Sequence, residues 1–216
     1  MTNHSNKSWL LAAFLCIQSI HSVLGSSTPF VTYGSVLKLL NVDHNVRLHS
    51  HDIKYGTGSG QQSITGTELK EDINSHWIIM NVTNAPNQRG EKVKCGDVIR
   101  LQHLSTRKNL HSHHFSSPLS ANQEISCYGE NGIGDSGDHW KVICSGDVWM
   151  RSNPVNFFHV DTDVYCSVSG RTFGRPINGQ MEVIGVPNSY QSTEWKASEG
   201  IFIHPSQSSK PIHTEL

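Results

Sequence analysis

The feature that most constrains this chain is that it repeats itself. Gly34, the run Leu48-His49-Ser50-His51 and Trp77 are answered 62 residues later by Gly96 and Leu110-His111-Ser112-His113, and Trp140 follows at an offset of 63. The Gly stands 14 residues before the Leu-His-Ser-His run both times, and the Trp follows that Leu by 29 and then 30 residues. Between these marks Gln61-Gln62-Ser63-Ile64 answers Asn122-Gln123-Glu124-Ile125. A third, more diverged copy starts at Gly146, puts Tyr165-Cys166-Ser167 in the Leu-His-Ser place and Gln180-Met181-Glu182-Val183 in the Gln-rich place, and closes on Trp195. Read this way, it carries five extra residues between Gly146 and Tyr165, 19 against 14. Units repeating at such a period bury their apolar faces by sharing one core.

Each unit reads as β-structure. Leu37 and Leu39 alternate with Val36, Lys38 and Leu40, and Ile99, Leu101 and His103 alternate with Arg100 and Gln102. Similar short runs around Val148 to Met150 and Phe157 to Val160 are punctuated by Gly, Asn, Asp and Ser, as strands and turns require. No segment sustains a 3.6-residue period with caps, so long helices are not expected. Three four-strand units, each with a late Trp, predict an all-β fold, a β-trefoil with pseudo-threefold symmetry. Six strands would close into a barrel and three hairpins would cap it, leaving no open sheet edge. Trp77, Trp140 and Trp195 are then structural core residues, expected to meet near the pseudo-threefold axis. The copies fall at 28–82, 90–145 and 146–201, with a tail at 202–216.

The two ends agree on a compartment. Residues 1–25 run from Lys7 through the apolar stretch Trp9 to Ile17 to Val23 and Gly25, which suit the −3 and −1 positions of a cut before Ser26. That is the pattern of a secretory signal peptide, and it is too short to span a bilayer. The last four residues are His213-Thr214-Glu215-Leu216. His213, Glu215 and Leu216 fit an ER-retrieval signal, which points to the endoplasmic-reticulum lumen. No other stretch approaches membrane length. Lys plus Arg is 17 against 18 Asp plus Glu, so a nucleic-acid partner has no electrostatic footing.

Four cysteines remain after the leader, Cys95, Cys127, Cys144 and Cys166, and they allow three full pairings. None forms a C-x-x-C, which argues against an oxidoreductase or a zinc ribbon.

The sharpest local signal is histidine. On a strand His49 and His51 share a side, as do His111 and His113, with His114 opposite. A zinc site needs three or four such ligands to converge. Equivalent segments of a threefold fold lie apart, and copy three offers Cys166 alone, so no metal and no cofactor is expected. Tyr55 to Gln62 reads as a hairpin turn. It lacks the Lys-Ser/Thr and following helix of a phosphate loop. Gln61, Gln62, Gln123 and Glu124 are expected to present amides and a carboxylate for hydrogen bonding to peptide or sugar. Asn81-Val82-Thr83 is an N-glycosylation sequon. No G-x-S-x-G or H-E-x-x-H is present, so catalytic residues are not expected. For a lectin, the exposed aromatic would have to come from Tyr55, Phe115, Tyr128, Phe173 or Tyr190.

Several segments resemble the stromal cell-derived factor 2 family: Asn45 to His51, Gly56 to Ser63, Asn109 to Phe115, Ser117 to Ser120, Gly174 to Ile177 and Trp195 to Phe202. The copies are similar to the MIR motif, named for protein mannosyltransferases and the inositol trisphosphate and ryanodine receptors. The resemblance implies a β-trefoil. It implies a lumenal, non-enzymatic protein that joins a J-domain co-chaperone and a BiP-type chaperone and keeps unfolded polypeptide clients from aggregating. The alternative is a lectin-like module for O-mannosyl or other glycans. On the first reading the client or co-chaperone surface comprises His49, His51, Tyr55, Gln61, Gln62, His111, His113, His114, Gln123 and Glu124. The resemblance also implies a Cys95–Cys144 disulfide, because these two sit where family cysteines are expected and Cys127 and Cys166 do not. Thr214 departs from the Asp or Ala usual in the family's tail.

Overall fold

The computed structural model describes residues 28–177 and 179–205; the leader at 1–25 and the tail signal at His213, Glu215 and Leu216 lie outside the described residues. Copy one forms β1 (Val36–Asn41), β2 (Arg47–Lys54), β3 (Gln62–Thr67) and β4 (Trp77–Asn81). Copy two forms β5 (Val98–His103), β6 (Asn109–Ser116), β7 (Gln123–Tyr128) and β8 (Trp140–Ile143). Copy three forms β9 (Pro154–His159), β10 (Val164–Thr172), β11 (Met181–Val186) and β12 (Glu194–Ile201).

Antiparallel pairing runs β1–β4–β5–β8–β9–β12 and back to β1, so six strands close a barrel. The hairpins β2–β3, β6–β7 and β10–β11 stand off it, and β3, β7 and β11 pair with one another in a closed triangle that caps one end. A second ring closes the opposite end: Val31 N–H donates to Trp149 O (2.9 Å), Trp149 N–H to Val93 O (2.9 Å) and Val93 N–H to Val31 O (3.0 Å). This is the β-trefoil that the repeat predicts.

The sequence placed copy three wrongly in two respects. Gly146 is not the counterpart of Gly34 and Gly96. Trp149 answers Val31 and Val93 in the ring, so Ser152 holds that place, and from Ser152 to Cys166 is 14 residues, as in the other copies. The five extra residues do not exist. Cys166, not Tyr165, answers Leu48 and Leu110: the indole N–H groups of Trp77, Trp140 and Trp195 donate to the carbonyls of Leu48 (2.8 Å), Leu110 (2.9 Å) and Cys166 (2.9 Å). A slip of one residue reverses every side chain on a strand. Cys166 therefore sits in the core, and Ser167 takes the place of His49 and His111.

All three indoles are fully buried in one core cluster; Trp77 packs on the His103 ring at 5.1 Å and Trp140 on the His159 ring at 4.7 Å. Each faces the last residue of the next copy's first strand, Trp77 opposite His103, Trp140 opposite His159 and Trp195 opposite Asn41. Those residues latch neighbouring copies together. His103 Nε2 hydrogen-bonds Asn74 O (2.9 Å), His159 Nε2 bonds Gly137 O (2.7 Å) and Asn41 Nδ2 donates to Ser192 O (2.8 Å).

Candidate functional site

The Leu-His-Ser-His strands build two parallel arrangements. On β2, His49 Nδ1–H donates to Asp72 Oδ2 (2.6 Å), the His49 and His51 rings are hydrogen-bonded (2.8 Å), and His51 Nε2 meets Ser63 Oγ (3.2 Å). On β6, His111 Nδ1–H donates to Asp138 Oδ1 (3.0 Å) and His113 Nε2–H to Glu124 Oε1 (3.2 Å). Both ring pairs meet edge-on at 4.9 and 5.0 Å, as the period of a strand dictates. Burial raises the Asp72 carboxyl, but hydrogen bonds from Ser75 and His49 outweigh it and hold the group below its ordinary value. Burial, with the neighbouring His49, lowers His51.

These contacts tie strands to turns. The glutamines tie copies: Gln62 Nε2 donates to Ser50 Oγ (2.7 Å) and to Thr106 Oγ1 of the next copy (2.9 Å), and Gln123 Nε2 reaches Ser112 Oγ (2.8 Å) and Thr162 Oγ1 (2.5 Å). Glu124 accepts Ser59 N–H (3.2 Å) and the Ser59 hydroxyl from the first hairpin. The Tyr55 hydroxyl lies 2.9 Å from both Ile64 O and Ile125 O. The expected binding surface is therefore corrected. His49, Tyr55, Gln62, His111 and Glu124 are buried and already paired, while His114 is exposed and His51, Gln61, His113 and Gln123 are partly so. A strand pattern cannot tell a surface amide from one facing the next copy.

Other predicted residues fall as follows. Cys95 and Cys144 form a disulfide, Cα–Cα 5.3 Å, joining the entry and exit of copy two. Cys127 and Cys166 are free and buried; burial pushes Cys127 up to about 12 and raises Cys166 as well, which keeps both as inert thiols. Asn81 ends β4 half-buried, with its side-chain amide donating to Pro86 O. His111, Asp135 and Asp138 bring ligand atoms within 4.8 Å of one another. A metal there would have to displace existing bonds, since His111 and Asn109 donate to Asp138 and Gly137 N–H donates to Asp135 (2.9 Å).

The accessible chemistry gathers around Tyr128. Its ring is 39% exposed and packs on His111 at 4.8 Å, on the ridge between two clefts of about 520 and 440 Å³. Gln61 and Asp135 line both; Lys108 and Glu130 line one, and His113 and Asp161 the other. Of the aromatics considered for a lectin, Tyr128 lines these clefts; Phe115 is exposed and packs on His113 at 4.7 Å, and Tyr190 is exposed outside them. Tyr55 is buried and Phe173 lies in a separate, mostly apolar hollow. The clefts themselves were not legible, because they need the loop at Gly60 from copy one beside the turn at Glu130 from copy two.

Comparison with known proteins adds to this geometry. The MIR domain family matches residues 38–164. Bovine (Bos taurus) stromal cell-derived factor 2 is 51% identical over 209 residues, covering 95% of this chain and 99% of that protein. The crystal structure of the SDF2-like protein from Arabidopsis thaliana superposes with a TM-score of 0.80 at 43% identity, over 82% of this chain and 99% of that one. The S. cerevisiae protein O-mannosyltransferase Pmt1-Pmt2 complex, bound to its sugar donor, contains the same fold: TM-score 0.71, 23% identity, 91% of this chain and 32% of that one.

Proposed function

The chain belongs to the stromal cell-derived factor 2 family, and from that premise we propose that it is a non-enzymatic subunit of an ER-lumenal chaperone complex. It would engage a J-domain co-chaperone and, with a BiP-type chaperone, hold non-native polypeptide. The observation that carries this reading is the kinship with stromal cell-derived factor 2 across almost the whole chain. The site supports it. His49 with Asp72, His111 with Asp138, and Glu124 are bound into the joints between strands and copies. Among the described residues, no helix is long and apolar enough to cross a membrane.

A second reading has one specific observation in its favour. Tyr128 offers a fixed aromatic face between clefts lined by amide, carboxylate and imidazole groups, which is how proteins grip sugars. Retrieval of the tagged protein from ER lysate, with and without glycosidase treatment, separates the two. Recovery of a J-domain protein in both samples supports the chaperone reading. Loss of partners on deglycosylation, matched by loss in Tyr128→Ala, supports the glycan reading. Recovery of no folding factor in either sample sinks the first.

A further inference from the structure

The three hairpin tips converge on a third hollow, remote in kind from the polar clefts. Tyr55, Ser117 and Phe173 open the tips at equivalent places, their N–H groups donating to the carbonyls of Gln61, Asn122 and Gln180. Two of these positions carry an aromatic ring and the third a Ser, so the tips do not meet symmetrically. Between them lies a space of about 330 Å³. Ile53 and Tyr55 come from the first tip, Leu119 from the second, and Phe173 and Ile177 from the third. Tyr55 and Ile177 form a buried floor at 6% and 7% exposure. The walls are held: Arg171 Nη1 donates to Leu119 O (2.6 Å), and the buried Glu182 accepts the N–H groups of Leu119 (2.7 Å) and Ser120 (3.2 Å).

The charge of the rim has one sign. Lys54 and Arg175 border the hollow, both exposed, and among the described residues no carboxylate side chain lines it. Glu182 and Glu124 lie under the tips, but both are fully buried and turned to tip N–H and hydroxyl donors. An apolar concavity of this size accepts one or two large side chains, and a cationic rim selects what flanks them.

We propose that this hollow is a docking site for an extended polypeptide segment that inserts an apolar side chain between the hairpin tips and faces Lys54 and Arg175 with flanking Asp or Glu. The assignment rests on the polypeptide-binding reading above and gives it a place and a sequence preference. A segment with basic flanks meets like charge at the rim and is disfavoured.

The test uses fluorescence anisotropy with a fluorescein-labelled peptide carrying a central Leu-Phe pair between glutamates, and a counterpart with lysines in their place. The glutamate peptide is expected to bind about tenfold more tightly, a preference that shrinks as salt rises. Lys54→Glu with Arg175→Glu should reverse the preference. Leu119→Asp should remove binding of both peptides, and Leu69→Ser, at an exposed site elsewhere, should leave it intact. Circular dichroism melts identify any variant that fails to fold, and the charge pair, being exposed, is expected to melt as the parent does. Equal affinity for the two peptides, or binding undiminished in the folded charge-reversed variant, overturns the proposal. A protein that recovers its J-domain partner from lysate yet shows no preference between the peptides sinks the docking site alone and leaves the chaperone reading standing.

Discussion

His103 is buried against Trp77, with Thr106 on one ring nitrogen and Asn74 O on the other. Desolvation pushes it down to about 4, and burial lowers His159, its counterpart in copy three, in the same sense. The unfolded chain takes up a proton near pH 6.5 and the folded one does not. Stability is therefore intact above that pH and is lost as pH falls towards 4. For His103 alone the loss between pH 7 and 5 is about 2 kcal/mol. Urea midpoints at the two pH values check it, and His103→Asn, the side chain that copy one uses at Asn41, should flatten the dependence. Gly58 makes a second residue-scale case. Its φ is +70°, and a Cβ there would sit 2.1 Å from Glu124 Oε2. Gly58→Ala should cost at least about 1 kcal/mol in urea unfolding, through strain and a displaced buried carboxylate. At this scale the sequence misled. Gln62 and Glu124 look like surface groups in a polar, Gly-rich stretch, yet they are buried because their partners, Thr106 and Ser59, belong to other copies.

The strands were legible from their alternation, and their pairing followed from the repeat. What the pattern could not give was the register of copy three. There Cys166 and Ser167 replace Leu and His, and only the Trp195 indole bond to Cys166 O identifies the matching residue. The Cys95–Cys144 disulfide spans 49 residues of chain, and closing a loop of that length restricts the unfolded state by about 4 kcal/mol. Replacing both cysteines by Ala should lower stability by about 2–4 kcal/mol, measured as the shift in urea midpoint multiplied by the slope. The sequon at the end of β4 is a contrasting case: the motif is plain, but the Asn81 amide is spent on Pro86 O beside the pairing strand β5.

For the whole molecule, closure is the governing fact. The β3, β7, β11 triangle and the Val31, Trp149, Val93 ring join all three copies at both ends, so no copy can leave without opening the other two. A single cooperative transition follows. Cys127 and Cys166 are buried in separate copies, and their thiols should be inert to a thiol reagent in the native protein. Both should become reactive at the same denaturant concentration at which tryptophan emission shifts to the red. Thiol release in two steps would show that the copies unfold separately.

The sequence by itself determined the architecture. Three copies of a short β-unit, each too small to bury its own faces, have few ways to share a core, and a late Trp in each copy marks the core that they share. It determined the family as well, because the motifs that carry the likeness are spread along the chain. Only the tertiary structure decided which polar groups are free to bind. A side chain's exposure depends on what the fold brings opposite it, and here the opposing residue mostly belongs to a different copy, dozens of positions away. The histidines and glutamines that stand out in the sequence are largely consumed in those joints. Open space lies beside Tyr128 and between the hairpin tips, where loops distant in the chain come together.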